Sequence, residues 1–232
     1  MRRAIALTVC LMLTGILVWG ILYVAQHFQE GRYAAELSFQ LGRRHVTNWA
    51  LLQRCTRVDL RGLDVDESHL QQLKRFRALR YLDLAATPIT DDGLRQLKHI
   101  PTLEHVFLGR TGVTDAGLVH LKRLPNLTWL DLGATGITDA GLVHLKQMES
   151  VRWLGLPGTS VTGAGLLHLR GLPHLSRLYL DHSDVGDEDL RPLKEMHHLE
   201  LIGLRQTQVT ERGYRELQRA LPSTTIHYDL SY

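Results

Sequence analysis

Residues Thr111 to Lys122 read Thr-Gly-Val-Thr-Asp-Ala-Gly-Leu-Val-His-Leu-Lys, and residues Thr135 to Lys146 read Thr-Gly-Ile-Thr-Asp-Ala-Gly-Leu-Val-His-Leu-Lys. The two copies differ only at Val113 against Ile137 and lie 24 positions apart (135 − 111). The period extends in both directions. One leucine column runs Leu60, Leu84, Leu108, Leu132, Leu156, Leu180, Leu204 and ends at Tyr228. A second apolar column, two residues earlier, runs from Val58 to Ile226. Self-similarity at a fixed period of this size marks a stacked repeat architecture.

Within each period the pattern changes once. The two apolar columns alternate with variable residues, which is the signature of a strand. Next come Thr87, Thr111, Thr135, Thr159, Ser183 and Thr207, then a β-branched column from Ile89 to Val209. After that the apolar spacing becomes three, as in Leu94, Leu97 and Ile100, which is a helix face. Each unit is therefore a short strand, a turn and a helix. No unit can bury its apolar face alone, so stacked neighbours must share one core.

The spacing and the leucine columns resemble leucine-rich repeats of the ribonuclease-inhibitor-like class. The Thr-Asp-Ala-Gly-Leu turn resembles the repeats of bacterial, notably planctomycete-type, repeat proteins. Ser or Thr stands where many such relatives carry Asn. The resemblance covers about residues 46–230. It implies an α/β leucine-rich repeat solenoid, a horseshoe with a parallel concave sheet of about eight strands and helices on the convex side. It implies no ligand, because sites are grafted onto folds.

The chain has 232 residues, a formal net charge of +3 and a pI of about 9.0. Lys and Arg are spread along the repeats rather than clustered, so no nucleic-acid partner is expected. Cys10 and Cys55 are the two cysteines, one in an apolar segment and one in a core column, so no disulfide between them is expected.

Met1-Arg2-Arg3 precedes an uncharged, largely apolar run from Ala4 to Ala25. As a helix it would be roughly 33 Å long, enough to cross a bilayer core of about 30 Å. Val18-Trp19-Gly20 makes a poor cleavage site, so residues 1–25 are expected to be an uncleaved signal anchor. Arg2 and Arg3 place the amino terminus in the cytoplasm and the repeats outside, by the positive-inside rule. Residues 26–45 read as a juxtamembrane linker in which Tyr33, Leu37 and Leu41 suggest a short helix. Residues 46–232 form the repeat domain, and Val46, Trp49, Leu52 and Cys55 read as the helix of a degenerate first unit that caps the core.

Several columns mimic chemistry. Asp91, Asp115, Asp139 and Asp187 form a carboxylate row, each at a helix start. The expectation is that Thr90, Thr114, Thr138 and Thr210 cap the free N–H groups while the acid faces the positive dipole end. Calcium would need clustered oxygens that no single coil offers. Lys74, Lys98, Lys122, Lys146, Arg170 and Lys194 fall near helix ends, where cations suit the dipole. His120, His144 and His168 stand on successive helices, too far apart for one zinc. Asp181-His182-Ser183 has the letters of a hydrolase triad, but consecutive residues cannot adopt its geometry. No catalytic residue, metal site or cofactor is expected, and the chain does not read as an enzyme.

The strand residues that alternate with the core columns face out on the concave sheet. They include Tyr81, Asp83, His105, Phe107, Trp129, Asp131, Trp153, Arg177, Tyr179, Asp181 and Arg205. Trp129 and Trp153 occupy equivalent places on neighbouring strands, with charges around them. An aromatic centre with a polar rim suits a partner-binding surface. The expected function is a membrane-anchored interaction scaffold or receptor that holds a protein or peptide there. The alternative is a glycan or cell-wall binder in which the tryptophans stack on sugar rings.

Overall fold

The computed structural model describes residues 54–229 and the backbone of Ala6–Leu13, Ile16–Ala25 and Ala34–Phe39. From Arg57 onward the period becomes a solenoid. Strands Arg57–Asp59, Tyr81–Asp83, His105–Phe107, Trp129–Asp131, Trp153–Gly155, Arg177–Tyr179, Leu201–Gly203 and Thr225–His227 form an eight-stranded sheet in chain order. All neighbours are parallel and in register, each residue opposite the one a period later. Short helices Glu67–Leu73, Asp91–Leu97, Asp115–Leu121, Asp139–Leu145 and Gly163–Leu169 return the chain, followed by a 3-10 helix Asp187–Glu195 and the helix Glu211–Ala220. The 3-10 form at Asp187–Glu195 coincides with Pro192, which has no N–H to give to an α-helical bond.

The core follows the columns. Leu60, Leu84, Leu108, Leu132, Leu156, Leu180 and Leu204 are all 0% exposed. Leu94, Leu97, Leu118 and Leu121 close the core from the helix side, as the three-residue spacing predicts.

The Ser/Thr column stabilises the turn after each strand. The hydroxyls of Thr87, Thr111, Thr135, Thr159, Ser183 and Thr207 donate to the carbonyl three residues back, at 2.5–2.8 Å. One residue before each hydroxyl the chain turns left-handed, at Ala86, Arg110, Ala134, Gly158, His182 and Gln206, with φ from +51° to +63°, and Gly62 makes the same turn before Leu63 at +69°. Five of these are not glycine, and each such residue costs on the order of 1 kcal/mol. The conformation aims N–H groups at the next coil: Arg110 donates to Gly133 O at 2.8 Å and Ala134 to Pro157 O at 2.7 Å.

The acidic row does more than meet a helix dipole. Asp91 accepts from the N–H and hydroxyl of Thr114, one coil on, at 2.8 and 2.6 Å. Asp115 binds Thr138, Asp139 binds Thr162 and Asp187 binds Thr210 in the same way. The expected threonine side-chain caps exist at Thr138 and Thr210 but not at Thr90 or Thr114. The hydroxyls of Thr114, Thr138 and Thr210 are turned to the aspartate of the preceding coil, and that of Thr90 to Glu67 at 3.5 Å, so capping is secondary.

This clamp also explains the glycine three residues after each clamping threonine. A Cβ on Gly117, Gly141, Gly165 or Gly213 would overlap the carboxylate of the preceding coil's aspartate. One pair of successive coils inverts the arrangement. Gly163 stands where the acid should be, and Asp189 stands where the glycine should be. Asp189 then reaches back, accepting from Gly163 N at 2.7 Å and from Gly186 N at 2.8 Å. The basic column lies at helix ends as expected, with Lys74, Lys98, Lys122, Lys146 and Arg170 at the C-cap.

The amino-terminal segment departs from its reading. The helix expected over residues 4–25 is replaced by strands Ala6–Leu13 and Ile16–Ala25, paired antiparallel, and Ala34–Phe39 adds a third strand where a short linker helix was expected. Among the described residues no helix is long and apolar enough to cross a membrane. Thr8, Val9, Ile16, Val18, Trp19, Ile21, Tyr23 and Val24 are β-branched or aromatic, and such residues favour extended backbone. Residues 46–53 of the expected cap helix lie outside the described residues. Cys55, its last core position, is buried, and burial pushes its thiol up to about 11.

Candidate interaction surface

The register places the outward residues in two rows across the concave sheet. Tyr81, His105, Trp129, Trp153 and Arg177 are successive partners in one row, and Asp83, Phe107, Asp131, Gly155 and Tyr179 in the other. The aromatic side chains merge these rows into one. The Tyr81 and Phe107 centroids are 5.0 Å apart, Phe107 and Trp129 6.2 Å, Trp129 and Trp153 4.2 Å, and Trp153 and Tyr179 5.0 Å. The two tryptophans are nearly parallel, at 10°. His105 stacks on Trp129 at 5.8 Å. The guanidinium of Arg57 closes the row, 3.6 Å from the centre of the Tyr81 ring. All five rings are half-buried.

Glycines make room for them. A Cβ on Gly155 would lie 2.6 Å from Trp153 Cη2, so the indole rests over that glycine. Tyr179 rests over Gly203 in the same manner, with Cδ1 2.9 Å from the missing Cβ. The Trp129 Nε1–H is buried and is the one buried side-chain polar atom without a partner among the described residues.

The carboxylates on this face differ. Asp83, expected to be a contact residue, is fully buried. Its Oδ1 accepts from Ala85 N at 2.9 Å, and its Oδ2 accepts from Arg61 Nε at 3.1 Å and Nη2 at 2.6 Å. It is unavailable to a partner because the preceding coil has covered it. Asp131 is half-buried and accepts from Gly133 N at 3.0 Å. Burial pushes its carboxyl above the usual range, the Asp83 charge adds to this, and the Gly133 N–H offsets part of it. Asp181 and Arg205 belong to the other end of the sheet, where Arg205 N donates to Asp181 at 3.0 Å and its guanidinium faces Asp229 at 3.8 Å. Arg177 and Arg205 are exposed. The eleven expected residues thus divide into a central aromatic row with Asp131 and Arg177, one buried acid, and a polar end.

The roles of Arg57 and Arg61 were not evident from the sequence. Both were readable as outward residues. That they turn inward onto Tyr81 and Asp83 depends on side-chain directions that no period supplies. A separate open groove of about 480 Å³ lies before the strands, lined by Glu104, Thr128, Glu149, Ser150, Arg152 and His174. Among the described residues, no group of His, Cys, Asp and Glu side chains could hold a metal ion.

A leucine-rich repeat family model matches residues 77–97. Two solved structures from Listeria monocytogenes share the architecture. An internalin (inlF) aligns with a TM-score of 0.62 and 22% identity over 77% of this chain, which spans about half (48%) of its length. Internalin C2 aligns with a TM-score of 0.64 and 20% identity, over 84% of this chain and 80% of that one. At such identities the likeness is one of fold. No curated protein matches the sequence.

Proposed function

We propose that this leucine-rich repeat protein is a non-catalytic interaction scaffold that holds a protein or peptide on its concave sheet. The observation that carries this reading is the unbroken aromatic row from Tyr81 to Tyr179, half-buried and spread over neighbouring strands. Packing alone does not account for its composition. A phenylalanine at 129 would stack as well and would not bury an unpaired N–H, which costs about 1–3 kcal/mol. Tryptophan and tyrosine in such a row are the usual anchors of binding surfaces. The glycan alternative fits less well, because sugar rings need an open indole face. Trp153 has Trp129 on one flanking strand and Tyr179 on the other, both in ring contact.

The proposal includes anchoring by residues 4–25, supported by their length and lack of charge. In lipid an open sheet would leave edge groups unpaired, so anchoring requires this run to be helical there. Loss of the intact amino terminus from the mature protein, or release by carbonate, would remove the anchor from the proposal.

The binding test is crosslinking in intact cells, followed by affinity measurement with the captured partner. Trp153→Ala should weaken binding by at least about 2 kcal/mol, roughly thirtyfold. Lys146→Ala, on the convex side, should leave it unchanged. The reverse pattern would move the site to the helix ridge.

A further inference from the structure

Asp83 and Asp131 stand at the same repeat position, two periods apart (131 − 83 = 48). Each accepts the N–H two residues on with Oδ1. At Asp83 the preceding coil supplies Arg61, whose guanidinium binds Oδ2. The residue that stands to Asp131 as Arg61 stands to Asp83 is Gly109 (131 − 109 = 83 − 61 = 22). Its missing Cβ points at Asp131, 3.4 Å from Oδ2. Gly133 and Gly155 also border the carboxylate, their absent Cβ positions 3.3 and 2.9 Å from Oδ1. Three glycines therefore surround this acid, and no cation pairs with it among the described residues.

We propose that Asp131 is the receptor for a basic side chain, an arginine, presented by a peptide or protein partner on the concave face. The partner's guanidinium takes the place at Asp131 that Arg61 fills at Asp83, and the protein's own sequence leaves that place open. The charges fit. A half-buried carboxylate with one hydrogen bond gains most from a donor that brings both charge and a planar fork. Burial holds this carboxyl's affinity for a proton high, and a bound cation relieves the same penalty. The stem of the incoming side chain would lie along Phe107, which is Asp131's neighbour in the register, and the Trp153 ring that overhangs Gly155.

This inference rests on the concave face being the partner surface. The test uses the full 232-residue chain in detergent, with hexa-arginine as the probe and hexa-citrulline, its neutral isostere, as the comparison. Tryptophan fluorescence, to which Trp129 and Trp153 contribute beside Trp19 and Trp49, reports binding. Hexa-arginine should bind at least tenfold more tightly than hexa-citrulline. Asp131→Asn should remove at least tenfold of that affinity, and Asp64→Asn, at an exposed acid elsewhere, less than twofold. Gly109→Arg should block the probe from within; Gly109 lacks positive φ and its Cβ would meet nothing closer than 3.4 Å, so the backbone there accepts a side chain. Equal affinity of wild type, Asp131→Asn and Gly109→Arg for hexa-arginine would overturn the proposal, as would equal affinity for the two peptides. A captured partner that is lost at Trp153→Ala but kept at Asp131→Asn would leave the scaffold reading standing and sink this one alone.

Discussion

The helix-start aspartates and Asp131 are the same residue under two regimes. Asp115 receives an N–H and an O–H from Thr138, both from the next coil. Each coil in that row gives its neighbour matched donors, so the acid is used up in holding coil to coil. Asp131 receives one N–H from its own turn, and the neighbouring coils present glycine to it. Repetition supplies partners where the repeat is kept, and it leaves functional groups open where the repeat lapses.

Four measurements of unfolding free energy can break or sharpen this contrast, and the core sets its upper scale. Leu132→Ala empties a position with 0% exposure and should cost about 2–5 kcal/mol. If any acid variant in either row costs more, the acids are core elements and the contrast fails.

Gly141→Asp should come next, at about 1–3 kcal/mol, because the new side chain overlaps the Asp115 carboxylate and repeats its charge. Adding Asp115→Gly should recover much of that loss, since the native Gly163 and Asp189 already show the inverted pair. A double-mutant cycle with strictly additive losses would show that the clamp is not a reciprocal unit.

Thr138→Ala should cost about 0.5–2 kcal/mol, as it removes the hydroxyl bonded to Asp115 Oδ2 and a weak cap on Ala140 N. The backbone bond from Thr138 N persists, so Asp115→Ala should cost more than Thr138→Ala. The opposite order would make capping the main role of the row after all.

The smallest effect belongs to Asp131. Its folded pKa is raised, so between the unfolded value and the folded one the native state binds more protons. Stability from this group therefore rises as pH falls through that window and is absent above it. Asp131→Asn should be slightly more stable than wild type at pH 7, with the gap closing as pH falls toward the ordinary value of 3.8. A loss of stability at pH 7 would mean that Asp131 is as structurally engaged as Asp115.

Much of the molecule is legible in the column of letters. Leu132 is buried because it shares a column with Leu108 and Leu156, and the period puts Trp129 beside Trp153 without any coordinates. Single periods could not show Asp83 beneath Arg61, because this needs two side chains from different coils to turn toward each other. The amino-terminal run shows another limit. Its apolar letters carry no period, and length alone does not choose between helix and strand.

The sequence by itself determined the solenoid, its register, its core and the outward rows, because a fixed period forces equivalent residues into equivalent places. The tertiary structure decided which outward residues stay available. That depends on what the adjacent coil offers across a few ångströms: Arg61 to Asp83, Thr138 to Asp115, and to Asp131 only the glycines on either side. Availability is a property of pairs of coils, and a residue's own column records only its place in one.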